Sequence, residues 1–542
     1  MKIILASVAM VDIDSVIACF WLDLHTTKDI CLTKVSAINN LPDLKVEEVT
    51  MRIVLHNQMS LGEEDIAKIK FDPRSRDDIP QLLAGLQFIY ITKELREAVF
   101  AILREVLPFR FGNAKENKVS KDKGRPGMEQ WTILVLGTLR LALDADYDRI
   151  HELANQHRTV RQMLGHGFMD DEKEYNLQSI RDNISLFTPE LLDRINQEVV
   201  RAGHTLLKKN DMGFSGRCDS FVVKTDVHYP TDINLLYDAM RKTIEEIAAL
   251  SEQCGLTSWR QSAYNIKKLK KLYRKIQKLK HSTSKDDVKR KTQEEAIKQA
   301  HQAYLEQAEY YLERVRATRP QLDKLLFVSI IALDGYIGHA ERQIDQIRRR
   351  VLLGEKILHG EKVFSIFQPH TEWISKGKAG VPVELGLRVC VLEDSMGFIL
   401  HHRVMQNETD DQVAVSMVTE SKLRFPQFRL CSFDKGFHTP QNQIDLKASL
   451  ERVVLPKKGR LSIADKEREY APEFISARQQ HSAVESAINA LGVHGLDMCP
   501  DHGIEGFKRY VALAIVARNI LKLGAVARSI EARKRGPYKR AA

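Results

Sequence analysis

The spacing of apolar positions divides the chain into a helical stretch, a mixed stretch and a helical close. Leu82, Leu83, Leu86 and Ile89, then Leu95, Val99, Ile102, Leu103 and Val106, recur as they do on one face of short helices. Trp131, Leu134, Val135, Thr138, Leu139 and Ala142 repeat that spacing, and 147–154 predicts a further helix. Thr188 followed by Pro189 reads as an N-cap and first helical residue, leading into Leu191, Leu192, Ile195 and Val199. At Cys218 the period becomes two. Phe221, Val223 and Thr225 alternate with Val222, Lys224 and Asp226, a strand that Tyr229-Pro230-Thr231-Asp232 ends before 235–247 returns to helix.

Next, Ile266, Leu269, Leu272, Ile276 and Leu279 form an apolar seam among Lys267, Lys268, Lys270, Lys271, Arg274, Lys275, Lys278 and Lys280. This is an amphipathic helix with a basic exterior. Helical spacing continues over 296–315 and 322–357, so the region predicts an antiparallel insertion of two or three helices. Strand patterns return at 383–392 and 398–404 around a turn at 393–397, followed by a helix at 413–423 and a strand at 428–434. A long helix through Phe507, Val511, Ala514, Ile515, Arg518, Ile520 and Leu521 is expected to close at Gly524 and leave a basic tail. The predicted order is strand, helical insertion, two strands, helix, strand, then helices, a mixed α/β protein.

Length and charge add to this pattern. A chain of 542 residues predicts two to four domains, and a net charge of +10 favours a polyanionic partner, nucleic acid above all. The polar, lysine-rich 113–127 reads as a linker. The first fifty residues lack a sustained period, and Met51, where a regular pattern begins, is the expected natural start. Seven scattered cysteines predict reduced thiols rather than a disulfide framework. His494, Cys499 and His502 cluster but lack a fourth ligand at zinc spacing. Asp12 and Asp14 interrupt the apolar N-terminus, which argues against a secretion signal. No later segment reads as long and apolar enough to cross a bilayer, so a soluble, intracellular protein is expected.

Three acids carry the candidate chemistry: Asp226 and Asp434, each ending an apolar run, and Glu485 inside a helical pattern. A carboxylate at the end of a buried strand is costly unless a cation compensates it. Two such ends and a helical glutamate suit a pair of divalent cations roughly 3.5–4 Å apart, as phosphoryl transfer on nucleic acid requires. Asp226 is the expected bridging ligand, with Asp434 sharing one ion and Glu485 the other. Lys224, on the same strand face, is expected to partner the Asp226 carboxylate. A lone Asp at a strand end is more often a turn former or helix cap, so the pattern alone leaves both readings open.

A set of ordered fragments narrows the choice. They are Gly124-Arg125-Pro126-Gly127, 139–148, Arg161-Gln162-Met163-Leu164-Gly165-His166, Thr225-Asp226-Val227-His228-Tyr229-Pro230-Thr231-Asp232, 365–373, Phe433-Asp434-Lys435-Gly436-Phe437, His481-Ser482-Ala483-Val484-Glu485, His494-Gly495-Leu496-Asp497 and Gly506-Phe507-Lys508-Arg509-Tyr510. Through them the chain resembles the DDE transposases of bacterial insertion sequences, particularly the ISNCY group, from about Gly124 to Gly524. The resemblance implies an RNase H-like catalytic core with a long helical insertion between its first and second strands. It also implies two Mg2+ or Mn2+ ions held by Asp226, Asp434 and Glu485 as catalytic acids, and cleavage at element ends followed by strand transfer.

The implied partners are terminal inverted repeats and target DNA, with at least a homodimer in the transpososome, in the bacterial cytoplasm at the nucleoid and away from membranes. The implied partition is an extension at 1–50, a helical region at 51–112, the linker, and a helical DNA-binding or oligomerisation region at 128–216. A catalytic domain at 217–524 with its insertion at about 248–358 follows, then a tail at 525–542. Where related transposases carry Tyr, Arg and Lys around the glutamate, this chain has Arg478, His481 and Gly492, and Asn489 is the alternative lining residue. The other classes left open are a non-catalytic terminal-repeat-binding protein or repressor, and a helical scaffold.

Overall fold

A computed structural model describes residues 54–55, 65–72, 75, 77–106, 127–167, 173–208, 213–280, 286–322, 327–375 and 382–535. The extension at 1–50, Met51, the linker up to residue 126 and the end of the basic tail lie outside them.

Seven α-helices precede the first strand among the described residues: α1 (Asp78–Ile91), α2 (Lys93–Leu103), α3 (Gln130–Ala142), α4 (Tyr147–Gln156), α5 (Arg158–Met163), α6 (Leu177–Ile184) and α7 (Pro189–Leu206). Short polar side chains start several of them by accepting from backbone N–H groups that have no partner within the helix. Asp77 accepts from Ile79, Asp146 from Arg149, Asn176 from Gln178 and Ser179, and Thr188 from Leu191, with Pro189 in the first turn as the sequence predicts.

The sheet has seven strands: β1 (Phe214–Thr225), β2 (Glu372–Ser375), β3 (Val383–Asp394), β4 (Ile399–Met405), β5 (Phe428–Phe433), β6 (Arg452–Val454) and β7 (Met498–Cys499). β1 lies centrally, antiparallel to β3 on one side and parallel to β5 on the other, and β6 continues parallel beyond β5. β4 and β2 both pair antiparallel with the far edge of β3, at residues 388–393 and 383–386 respectively. β7 is a two-residue parallel rung on Lys224 and Thr225. The predicted 383–392 and 398–404 strands and the 428–434 strand correspond to β3, β4 and β5.

Between β1 and β2 stand α8 (Asp232–Gln253), α9 (Ser262–Lys280), α10 (Asp287–Thr318) and α11 (Phe327–Ile347). They enclose an apolar core of their own, built on Leu236, Met240, Ile244, Leu269, Ile276, Tyr304, Tyr311 and Leu333. A second, larger core runs from the helices before β1 through the sheet to the last helix. Around the later strands lie α12 (Asp410–Arg424), α13 (Pro440–Ser449), α14 (Ile463–Tyr470), α15 (Pro472–His481), α16 (Ala483–Leu491) and α17 (Gly503–Arg535).

α17 corrects two expectations. It does not end at Gly524, and residues 528–535 are helical rather than part of a tail, with Arg528 reaching the carbonyls of Asp72 and Ser75. Gly524 serves a close approach instead: a Cβ there would collide with the Gln81 carbonyl of α1, and one on Gly85 would collide with the Ile520 carbonyl. The helix is also long and apolar enough to span a membrane by length and composition, contrary to the sequence reading, and most of its apolar stretch is buried inside the protein. It is apolar all round because α1, α3, α7 and β4 surround it. Its one fully buried amide, Asn519, accepts from Ile399 N–H at 3.0 Å and donates to Ile399 C=O at 2.8 Å and Asn196 Oδ1 at 2.6 Å. That network ties α17, α7 and β4 together at a single point.

Replacing Gly524 by Ala should therefore force two backbones apart and destabilise the protein by about 2 kcal/mol. Gly335→Ala, on a helix with nothing within 4 Å of the new methyl, should be neutral or stabilising. Thermal melting of the two variants side by side checks this.

Candidate active site

Strand register decides which acids meet. β1 and β5 run parallel with Arg217 opposite Ser432 and Cys218 opposite Phe433. The next step along both chains sets Asp219 beside Asp434, about 4.8 Å apart at the backbone. Asp434 keeps extended backbone before the turn at Lys435–Phe437. Asp219 Oδ1 accepts from Ser220 N–H at 2.8 Å, and the Ser220 hydroxyl donates to Asp410 Oδ1 at 2.6 Å. Asp410 opens α12, and its Oδ2 lies so close to Gly436 that a Cβ there would stand 3.0 Å away.

Glu485 joins from the first turn of α16, which packs on β1. One helical turn earlier in the chain, His481 ends α15, and its Nδ1 lies 3.0 Å from the Ser432 hydroxyl. Burial lowers the His481 pKa, and Asp434 partly opposes that shift, so the ring is neutral near pH 7. Burial also pushes the Asp219 carboxyl up, to about 6, and the charges of Asp434, Asp410 and Glu485 add to the rise. Three neighbouring carboxylates thus act on Asp219.

Asp226 does not belong to this group. It lies seven residues beyond Asp219 on an extended chain, roughly 23 Å away. It is exposed just past the end of β1, where the sheet continues only as β7. Lys224 is correspondingly engaged elsewhere, with its Nζ 3.0 Å from Asp497. The structure therefore places Asp434 and Glu485 within electrostatic reach of Asp219, and Asp226 apart from them. The signal for Asp219 lay in the sequence, because an aspartate inside a strand at Cys218-Asp219-Ser220 contradicts strand propensity and asks for a reason. Asp410 gave no such signal, since an acid in a helix's first turn is ordinary.

The donor set suits a hard divalent cation: carboxylate oxygens from β1, from the end of β5 and from the first turns of two helices, with no Lys or Arg ion pair to any of the four among the described residues. As placed, no group of three or more His, Cys, Asp or Glu side chains among the described residues is close enough to hold a metal ion. His494, Cys499 and His502 are separately occupied. His494 Nδ1 lies 2.6 Å from the Ala142 carbonyl, His502 Nδ1 lies 2.6 Å from Gln368 Nε2, and the Cys499 thiol donates to the Asp501 carbonyl.

Comparison with protein-family models, curated proteins and solved structures finds no match for this chain.

The raised Asp219 pKa fixes a sign. With the folded value near 6 against an ordinary 3.8, the folded state binds the proton more tightly than the unfolded one. Stability from this group is fully present below about pH 4 and is lost as pH rises through 6. In EDTA, Asp219→Asn should therefore melt above wild type at pH 8 and level with it near pH 4. Millimolar Mg2+ should raise the wild-type melting temperature and leave that of the variant unchanged. Equal melting of the two proteins at pH 8 in EDTA would remove the carboxylate crowding.

Proposed function

We propose that this protein is a transposase that cleaves DNA at the ends of its element and joins the 3′ hydroxyls to target DNA by transesterification, on an RNase H-like core. The observation that carries the reading is the meeting of Asp219 from the middle of β1, Asp434 at the end of the adjacent parallel strand and Glu485 from a helix that follows the sheet. The strand order supports the fold: an antiparallel β1–β3–β4 unit with two further strands added parallel to β1. The helices between β1 and β2 correspond to the expected insertion.

In this reading Asp219 is the rigid member, held in the ladder with β3 opposite Val391 and by the Ser220 N–H on its carboxylate. Asp434 has one end of its strand free and faces the same space. Glu485 is exposed on the first turn of a helix and has the longest side chain, so it can adjust its position. Two Mg2+ or Mn2+ ions held by these carboxylates would supply an activated oxygen nucleophile and a stabilised leaving oxygen. His481, neutral and hydrogen-bonded to Ser432, orients the segment that carries Glu485. Asp410 adds negative charge and accepts from the Ser220 hydroxyl. Pairing two element ends requires at least a homodimer, working on DNA in the bacterial cytoplasm.

The assay is metal-dependent nicking of a duplex carrying the terminal repeats that flank the gene. Asp219→Asn, Asp434→Asn and Glu485→Gln should each lower the rate on the order of a thousandfold or more while leaving DNA binding intact. Asp226→Asn should cleave at nearly the wild-type rate. The opposite ranking of Asp219 and Asp226 would refute the site, and wild-type protein that binds the repeats without nicking them would favour a repressor.

A further inference from the structure

The helix α9 has two faces of different character. Leu269 and Ile276 are buried, and Ile266, Leu272, Tyr273 and Leu279 pack against the insertion's own core. Tyr273 stacks on Tyr237 at 5.2 Å between ring centroids, and its hydroxyl donates to Asn234 at 2.6 Å. Asn265 accepts from the Tyr311 hydroxyl at 3.3 Å. That side of the helix is fixed.

On the other side Lys267, Lys268, Lys270, Lys271, Arg274, Lys275 and Lys278 are all exposed, and α9 contains no acidic residue. At 100° per residue these seven fall within an arc about 160° wide and extend about 17 Å along the axis. Tyr264 stands on the same arc, 64% exposed. Elsewhere in the insertion several cations are matched, Arg290 by Asp287, Arg316 by Glu341, Arg319 by Asp334, Arg348 by Glu309 and Arg350 by Asp232, while the exposed Arg260, Lys291, Lys298, Arg342 and Lys356 lack an ion-pair partner among the described residues but do not gather on one arc of a single helix. None of the seven on α9 has an ion-pair partner among the described residues.

Seven like charges on one arc repel one another, and nothing on the helix offsets this. We propose that the exposed face of α9 is a sequence-independent docking surface for the sugar–phosphate backbone of duplex DNA. Duplex DNA carries one charge per roughly 1.7 Å of axis, so the length of the arc matches about ten phosphates. Lysine, arginine and tyrosine are the side chains that contact phosphate oxygens. A lipid surface fits less well, because the apolar face that would enter a bilayer is packed into the insertion's core. The choice of DNA as the polyanion rests on the proposed function, whereas the surface itself lies outside the carboxylate cluster.

The test uses the full chain carrying Asp219→Asn, in EDTA, so that cleavage plays no part. Binding to a duplex of about 30 base pairs without terminal repeats is followed by fluorescence anisotropy between about 50 and 300 mM salt. Combining Lys267→Gln, Lys271→Gln, Arg274→Gln and Lys278→Gln should reduce the slope of log K against log salt by about 3 to 4. The pair Lys271→Gln and Lys278→Gln should give about half that change, and the control pair Lys289→Gln and Arg290→Gln a much smaller one. An unchanged slope in the fourfold variant, an equal loss in the control, or stronger retention on phosphatidylserine vesicles than on duplex would overturn the proposal. Failure of the catalytic reading shows separately, as wild-type protein that does not nick with Mg2+ yet keeps this salt dependence.

Discussion

The parallel ladder between β1 and β5 covers only Phe214–Cys218 of a strand twelve residues long, and the candidate site depends on where that ladder stops. Parallel neighbours advance together, so the last paired rung hands the next residue of each strand to the same space. Here those residues are Asp219 and Asp434. Beyond them β1 continues alone on that side until β7 picks it up at Lys224, which leaves an opening beside the carboxylates that α16 enters from the flank. A shift of one residue in this register would turn the side chain of Asp219 to the opposite face of the sheet.

Crowding of Asp219, Asp434, Asp410 and Glu485 works against the folded state on its own, and the fold tolerates it because the large core beneath is well filled. Cys218 and Phe433, the immediate neighbours of the acids on the two strands, are buried, as is Cys431 two residues before Phe433. Their packing fixes the backbone that the carboxylates would otherwise push apart. The insertion follows a different logic. Its separate core satisfies the apolar faces of α8 to α11 internally, so its outer surface is free to carry charge that no packing requirement dictates.

Much of the architecture was readable from spacing. β3, β4 and β5, the helix at 413–423 and the start of α7 at Thr188-Pro189 all follow periods long enough to register. β2, β6 and β7 are four, three and two residues long, too short for a period of two to stand out. Spacing points to Asp226 and leaves Asp219 unmarked, because alternation reports the face of a strand and not the position along a partner contributed by residues some two hundred positions away. Glycine at 524 likewise imitates a helix stop, and only the carbonyl of Gln81 explains why a helix runs through it.

The seating of α17 also bears on how the protein comes into being. Its residues Val511 to Leu523 fill the space between helices that precede the sheet in the chain, and Asn519 closes the edge strand β4. Without α17, the apolar faces that α1, α3 and α7 turn toward it are left open. The sheet that carries the acids also has one side uncovered. Contacts between the two ends of so long a chain form late and slowly. The larger core is complete only once α17 has docked, and any state in which it has not exposes apolar surface that favours self-association.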